Sequence, residues 1–172
     1  MNSTEILGKL ECEGFATIPC VVDDSLRLAL SRDVEESQSS VVAGVRGVTQ
    51  KIDSVRRLAH SETIRALVEP ILGREARLVR SILFNKNEKA NWPVAWHQDL
   101  AIAVHKRVEL DGFVSWSIKN GEPHVQPPVQ ILERMLNVRL HLDAADESNG
   151  ALLVSPGSHL LGRIPANEAA GV

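Results

Sequence analysis

Long apolar runs are missing from this sequence. No stretch approaches the about 20 consecutive apolar residues that a membrane-spanning helix needs. Residues 1–14, MNSTEILGKLECEG, contain acidic residues where a secretory signal has basic ones, and they lack its uninterrupted apolar segment. These absences exclude a predicted membrane span and a predicted signal peptide. We therefore expect a cytoplasmic protein with no membrane partner.

Cysteine is nearly absent, and Cys12 and Cys20 are the two that occur. Their spacing matches neither a C-x-x-C redox pair nor the ligand pairs of a zinc site. The sequence gives no support for a disulfide between them. Reduced thiols in a cytosolic protein are therefore the prediction.

A strong excess of either charge is also lacking, since the sequence has 19 basic and 22 acidic residues and a formal net charge of -3. Neither the total nor any block indicates a surface for a phosphate backbone, so we expect no nucleic-acid partner. The chain has 172 residues and 44% hydrophobic content, which fits one domain with a core of ordinary size. We predict a single domain over residues 1–172.

The first part of the chain has the periodicity and the end signals of helices. Residues 3–13 form a predicted helix, with Ser3 or Thr4 as its cap and Gly14 as its stop. A second predicted helix begins at Asp23 or Asp24. The other predicted elements are a strand over 15–22, a loop over 38–50, and helices over 54–59 and 62–72.

Beyond Gly73 the pattern changes from helices to strands. The strand-like segments are ARLVRSILF, WPVAWHQDLAIAV, MLNVRLHLD and ALLVSPGSH. Helices followed by short strands favour an α+β fold whose second half is a β-sandwich or barrel. We predict a helical part over residues 1–75 and a barrel part over 76–172.

The strongest local signal for chemistry is Trp96-His97-Gln98-Asp99. In a strand, residues i and i+2 project to the same face, which places an imidazole beside a carboxylate. An Fe(II) oxygenase uses two histidines and one carboxylate on one face of the metal, so this pair supplies two of three ligands. A His-x-Asp tripeptide also occurs by chance, as a surface ion pair or a buried hydrogen bond.

Three motifs occur here in one order: FNKN-x-x-ANW-x-VAWHQD, then GEPHVQPP, then VRLHLDAADESNGALLVSPGSH. Together they resemble the phytanoyl-CoA dioxygenase-like family of non-haem Fe(II)- and 2-oxoglutarate-dependent oxygenases. The resemblance covers residues 78–163 and extends loosely over the helical half. It implies a double-stranded β-helix, or jelly-roll barrel, with His97 and Asp99 as iron ligands at its mouth.

The resemblance also implies a reaction and a set of cosubstrate contacts. 2-Oxoglutarate and O2 would be converted to succinate and CO2 while a small organic substrate is hydroxylated. Halogenating relatives replace the carboxylate ligand with a small residue, so Asp99 argues for hydroxylation. Lys86, Gln98 and Arg139 are the candidate 2-oxoglutarate-binding residues, although Lys86 also fits a solvated lysine and Arg139 also fits an ion pair with Asp143.

In the family, the second histidine ligand and the basic residue that grips 2-oxoglutarate follow the PGSH turn. We therefore expect this sequence to be truncated at its C-terminus, with an incomplete barrel and the third metal ligand missing. His159 is a weak candidate for that ligand, and His141 is weaker still. His105 and His124 are expected to be exposed to solvent, with contact to substrate as the alternative.

Two other interpretations stay open beside the hydroxylase. One is a truncated and inactive relative that acts as a binding or assembly module. The other is a cupin-like protein that holds a different divalent metal through His97, Asp99 and a nearby histidine. An unclosed barrel exposes strand edges, so we also expect self-association through those edges.

Overall fold

The computed structural model describes residues 2–37, 44–85, 94–146 and 149–171. These residues form helices and two small antiparallel sheets, so the chain has the mixed α+β character that was predicted. The chain divides into two compact units. Unit 1 takes in residues 1–43, 85–98 and 140–172, and unit 2 takes in residues 44–84 and 99–139. The double-stranded β-helix stays a prediction.

Unit 1 begins with helix α1, which spans Ser3–Glu13. The Asn2 side chain accepts a hydrogen bond from the Glu5 N–H, and the Glu5 carboxylate accepts one from the Asn2 N–H, which makes a capping box. Gly14 ends the helix in the left-handed region, with a φ of 83°. The predicted bounds are confirmed, but the cap is Asn2 and not Ser3 or Thr4.

Helix α2 spans Asp24–Ser37 and confirms the second predicted helix. The Asp23 carboxylate accepts a hydrogen bond of 2.7 Å from the Leu26 N–H, as an N-cap residue does. This backbone hydrogen bond, with a second one from the Ser25 hydroxyl, lowers the pKa of Asp23 below its usual 3.8. Leu30 and Val34 on α2 are buried, as is Ile6 on α1, and these are the buried apolar residues of unit 1 in the part of the chain that the structure describes.

Unit 2 contains a helical segment and a two-stranded sheet. Strand β1, Gly44–Arg46, pairs antiparallel with β2, Ile82–Phe84. The helices between them are α3, Val48–Lys51; α4, Asp53–Ala59; and α5, Glu62–Leu72. The two longer helices confirm the prediction. The predicted loop over 38–50 is corrected within the described residues, because it contains β1 and most of α3.

The second sheet of unit 2 has three strands in the order β3-β5-β4. Strand β3 is Ile102–Ala103, β4 is Val114–Lys119 and β5 is Glu122–Gln126, followed by the short helix α6, Val129–Leu132. Asn120 and Gly121 join β4 to β5 with φ values of 52° and 82°. Both values are positive, as a tight two-residue hairpin turn requires. Val125 and His124 on β5 are fully buried.

Several predicted strands are wrong where the structure describes them. Residues 15–22, 135–143 and 151–159 form no strand, and Ser158–Leu161 is a 3-10 helix. In the predicted strand over 92–104, the described residues contain the strand Ile102–Ala103 alone. Apolar and β-branched residues favour strands only where a neighbouring strand pairs with them, and these segments lack such a partner among the described residues.

Cys12 and Cys20 are both exposed and free, which confirms the predicted thiols. Among the described residues, no helix is both long enough and apolar enough to span a bilayer.

Candidate metal centre

His97 is an exposed residue of unit 1, in a segment without regular secondary structure. Its Nδ1 atom lies 2.8 Å from the Ala95 carbonyl oxygen. A carbonyl oxygen only accepts hydrogen bonds, so Nδ1 carries the hydrogen and Nε2 keeps its lone pair in the neutral ring. Histidine ligands of metals are oriented by this kind of hydrogen bond. No group among the described residues is hydrogen-bonded to the His97 Nε2, so this atom is available to coordinate a metal.

Gln98, the next residue, is held by two hydrogen bonds to a distant part of unit 1. Its Nε2 donates to the Gly162 carbonyl oxygen, and its Oε1 accepts from the Ile164 N–H, both at 2.8 Å. The amide thus pairs with backbone groups as a neighbouring strand would. We name this pair of bonds the Gln98 clasp. It fixes the backbone beside His97. It also engages both polar atoms of Gln98, which the sequence predicted to bind 2-oxoglutarate.

Asp99 is exposed and belongs to unit 2. No described residue forms a hydrogen bond or ion pair with its carboxylate, so its oxygens are open to solvent. Residues 94–101 form no strand, so strand alternation does not place His97 and Asp99 on one face. Their role as a ligand pair stays a prediction that rests on the motif.

His159 lies at the end of helix α1. Its Nε2 is 3.2 Å from the Glu11 carbonyl oxygen, to which it donates. A Cβ atom added to Gly14 would lie 2.5 Å from the His159 Nδ1, so the other ring nitrogen faces the glycine backbone. The Gly157 N–H also donates to the Glu13 carbonyl oxygen at 2.9 Å. The PGSH turn thus binds the C-terminal carbonyls of α1, which are the groups that a helix end leaves unpaired.

Of the other two candidate residues for binding 2-oxoglutarate, the structure describes Arg139 but not Lys86. The Arg139 side chain is exposed, and its guanidinium carbon lies 5.9 Å from the centroid of the Phe84 ring in unit 2. This distance is that of a cation–π contact. Lys86 lies outside the described residues. The binding of 2-oxoglutarate by either side chain stays a prediction.

The burial of His124 was not predicted, because the sequence indicated an exposed residue. It is fully buried on β5, where its Nδ1 lies 3.0 Å from the Glu122 carbonyl oxygen. Its Nε2 is buried without a hydrogen-bond partner among the described residues. His105 is exposed as expected, and so is His141. Alternating apolar residues around the HVQ tripeptide were the signal for a buried strand.

Within the described residues, no three or more His, Cys, Asp or Glu side chains are grouped so that they would hold a metal ion. What unit 1 does provide is one oriented imidazole, His97, on a backbone fixed by the Gln98 clasp. Histidine Nε2 and carboxylate oxygen are both atoms that coordinate Fe(II).

The family model described as Phytanoyl-CoA dioxygenase (PhyH) matches residues 10–170. No curated protein and no solved structure matches the chain.

Proposed function

Because the chain belongs to the phytanoyl-CoA dioxygenase family, we propose that it is an Fe(II)- and 2-oxoglutarate-dependent oxygenase that hydroxylates a small organic substrate. The family is a dioxygenase family and generally depends on Fe(II) and 2-oxoglutarate. The observation that carries the proposal is the extent of the match, which covers residues 10–170 and includes the His97-Gln98-Asp99 tripeptide.

His97 and Asp99 are the proposed iron ligands. The free Nε2 of His97 supports its part, because the hydrogen bond from Nδ1 to Ala95 leaves that lone pair available and holds the ring. The carboxylate of Asp99 would supply a hard oxygen donor. His159 stays a weak candidate for a third ligand, since its Nε2 donates to the Glu11 carbonyl oxygen.

A bound Fe(II) would supply activation of O2 together with 2-oxoglutarate, with succinate, CO2 and a hydroxylated substrate as products. The chain's own residues would bind and orient the reactants. Arg139 and Lys86 are the proposed cations for the carboxylates of 2-oxoglutarate, which a guanidinium binds with two parallel hydrogen bonds. The carboxylate of Asp99 favours hydroxylation, because halogenation needs that coordination position vacant for a halide.

The test is an anaerobic titration of the 172-residue chain with Fe(II) and 2-oxoglutarate, followed by the weak visible absorption band of the chelated complex. We expect the band in the native chain and its loss in His97→Ala. His105→Ala is the matched control, because it also removes an exposed histidine but lies outside the tripeptide. It should keep the band.

Calorimetric titration with Mn(II) in place of Fe(II) gives a second readout that is independent of absorption. Absence of the band and of Mn(II) binding in the native chain would contradict the proposal. That result would support the other interpretation, a family member that acts as a binding module without catalysis. Mn(II) binding without any effect of 2-oxoglutarate would support the cupin-like metal protein.

A further inference from the structure

Two adjoining cavities of about 530 and 500 Å³ lie in unit 2. Both are lined by His60, Arg77 and Leu78, so they form one continuous concavity. We name it the arginine groove. Its cationic lining comes from α4, from α5 and from the segment after α5: Arg56, Arg65, Arg74 and Arg77.

Acidic side chains only partly balance these arginines. Glu75 is the acidic residue that lines the groove. Three of the four arginines form ion pairs with an acid of their own segment: Arg56 with Asp53 at 2.7 Å, Arg77 with Glu75 at 2.9 Å, and Arg65 with Glu69. The Arg74 guanidinium has no ion-pair partner among the described residues. The groove therefore carries a surplus of positive charge.

The groove also holds its guanidinium groups close together. Arg65 Nη2 and Arg77 Nη1 both donate to the Arg74 carbonyl oxygen, at 3.4 and 3.5 Å. Glu69 and Glu75 partly neutralise these two guanidiniums, and a bound anion would interact with both of them at once. Two guanidiniums ordered before binding also lose less side-chain entropy when a ligand arrives.

The packing of unit 2 does not require this clustering. The side chains of Arg56, Arg65 and Arg77 are 53%, 46% and 69% exposed. A basic helix face in water would be the simpler explanation, but these arginines come from three separate segments and line one concavity. Residues 51–80 contain seven basic and four acidic residues, although the whole chain has a net charge of -3. Positive charge is thus concentrated around the groove.

We propose that the arginine groove binds a phosphorylated small molecule, through residues other than the proposed iron ligands. Each guanidinium presents paired N–H donors in a plane, which matches the oxygens of a phosphoryl group. A phosphoryl group has three outer oxygens for several guanidiniums, whereas a carboxylate has two. The cavity volumes lie within the roughly 300–1,000 Å³ that is typical of small-ligand pockets.

The experiment is isothermal titration calorimetry of the full chain with inorganic pyrophosphate, without added metal, at an ionic strength of about 0.15 M, where the Debye length is about 8 Å. Citrate at equal ionic strength is the carboxylate probe. We expect saturable binding of pyrophosphate that is clearly tighter than binding of citrate. Arg74→Ala and Arg77→Ala should each weaken it roughly ten-fold or more, as expected for a lost hydrogen bond to a charged group.

Arg57→Ala is the matched control, since Arg57 is also exposed on α4 but does not line either cavity. It should keep the native affinity within about two-fold, because screening weakens charges outside the site. A melting curve of each variant without ligand checks its folding, and these exposed side chains should leave the melting temperature almost unchanged.

Three results would overturn the proposal. The first is no saturable binding of pyrophosphate by the native chain, and the second is an equal loss in Arg57→Ala, which would indicate diffuse charge attraction. The third is binding of citrate as tight as that of pyrophosphate, which would indicate a carboxylate ligand. Since no metal is added, none of these results depends on the iron site.

Discussion

The three residues of the His97-Gln98-Asp99 tripeptide have two different roles. His97 and Asp99 carry donor atoms for a metal, whereas both polar atoms of Gln98 bind the backbone of Gly162 and Ile164. A side chain in that position acts by fixing the backbone of its neighbour, His97. Gln98 is therefore a positioning residue in the proposed centre.

Gln98→Ala removes both hydrogen bonds and should lower the affinity for Mn(II) about ten-fold, the lower end of the loss seen when outer supports of a ligand are removed. Gln98→Glu keeps an acceptor for the Ile164 N–H but loses the donor to the Gly162 carbonyl oxygen, so its affinity should lie between those of the native chain and Gln98→Ala. Calorimetric titration with Mn(II) measures both.

Gln130→Ala is the matched control, because Gln130 is exposed on α6 and has no described hydrogen bond. It should bind Mn(II) as the native chain does. If Gln98→Ala lowers the melting temperature but leaves the Mn(II) affinity unchanged, Gln98 stabilises the fold and does not position the ligand.

Sequence reasoning reached some of these residues and not others. The His97-Gln98-Asp99 tripeptide was recognisable because ligand chemistry depends on residue type and short spacing. The Gln98 clasp was not, because its partners are backbone groups 64 and 66 residues away, and any residue supplies such groups. The full burial of His124 was missed for a similar reason, since burial depends on neighbours that only the fold brings together.

At the scale of elements, the end of α1 depends on the PGSH turn. Gly14 has a φ of 83°, and the His159 ring lies where a Gly14 Cβ would be. Gly14→Ala should destabilise the chain by about 2–4 kcal/mol, from left-handed strain together with overlap on the ring. Gly121→Ala should lose about 1–2 kcal/mol, because its φ is 82° but nothing lies within 4 Å of the added Cβ.

Chemical denaturation of each variant gives these free energies of unfolding. In a His159→Ala background, the effect of Gly14→Ala should fall to that of strain alone, because the overlapping ring is gone. An undiminished effect in that background would show that the His159 ring does not account for the destabilisation.

Helices were easier to predict than strands in this chain. Capping residues and Gly14 or Gly73 mark helix ends within a few positions, and α1, α2, α4 and α5 follow those signals. A strand forms only when it pairs with another strand, and the residues of a segment do not show which distant segment that will be. The hairpin of β4 and β5 was missed although it carries two local signals: Asn120-Gly121 suits a two-residue turn, and Val114, Trp116 and Ile118 alternate with polar residues along β4.

At the scale of the whole molecule, the exposed edge of a sheet bears on self-association. Strand β4 lies at the edge of the three-stranded sheet, with Ile118 77% exposed and Val114 51% exposed. An apolar edge strand is a template for pairing with another chain. We expect concentration-dependent association in sedimentation velocity and a shift towards monomer in Ile118→Lys.

Leu153→Lys is the control for this prediction. It places the same charge on a residue that is 66% exposed and lies outside any described strand. Association should persist in that variant. A native chain that sediments as a monomer at every concentration, or equal effects of the two substitutions, would contradict association through β4.

The contact between His159 and α1 has a consequence for synthesis. It joins residues 148 positions apart, so α1 leaves the ribosome long before its partner exists. At roughly 5–20 residues per second, the delay is about 7 to 30 s. An isolated helix of 11 residues is only marginally stable in water. The nascent chain would therefore present a fraying first helix, and a chaperone or protease that acts during translation would meet it in that state.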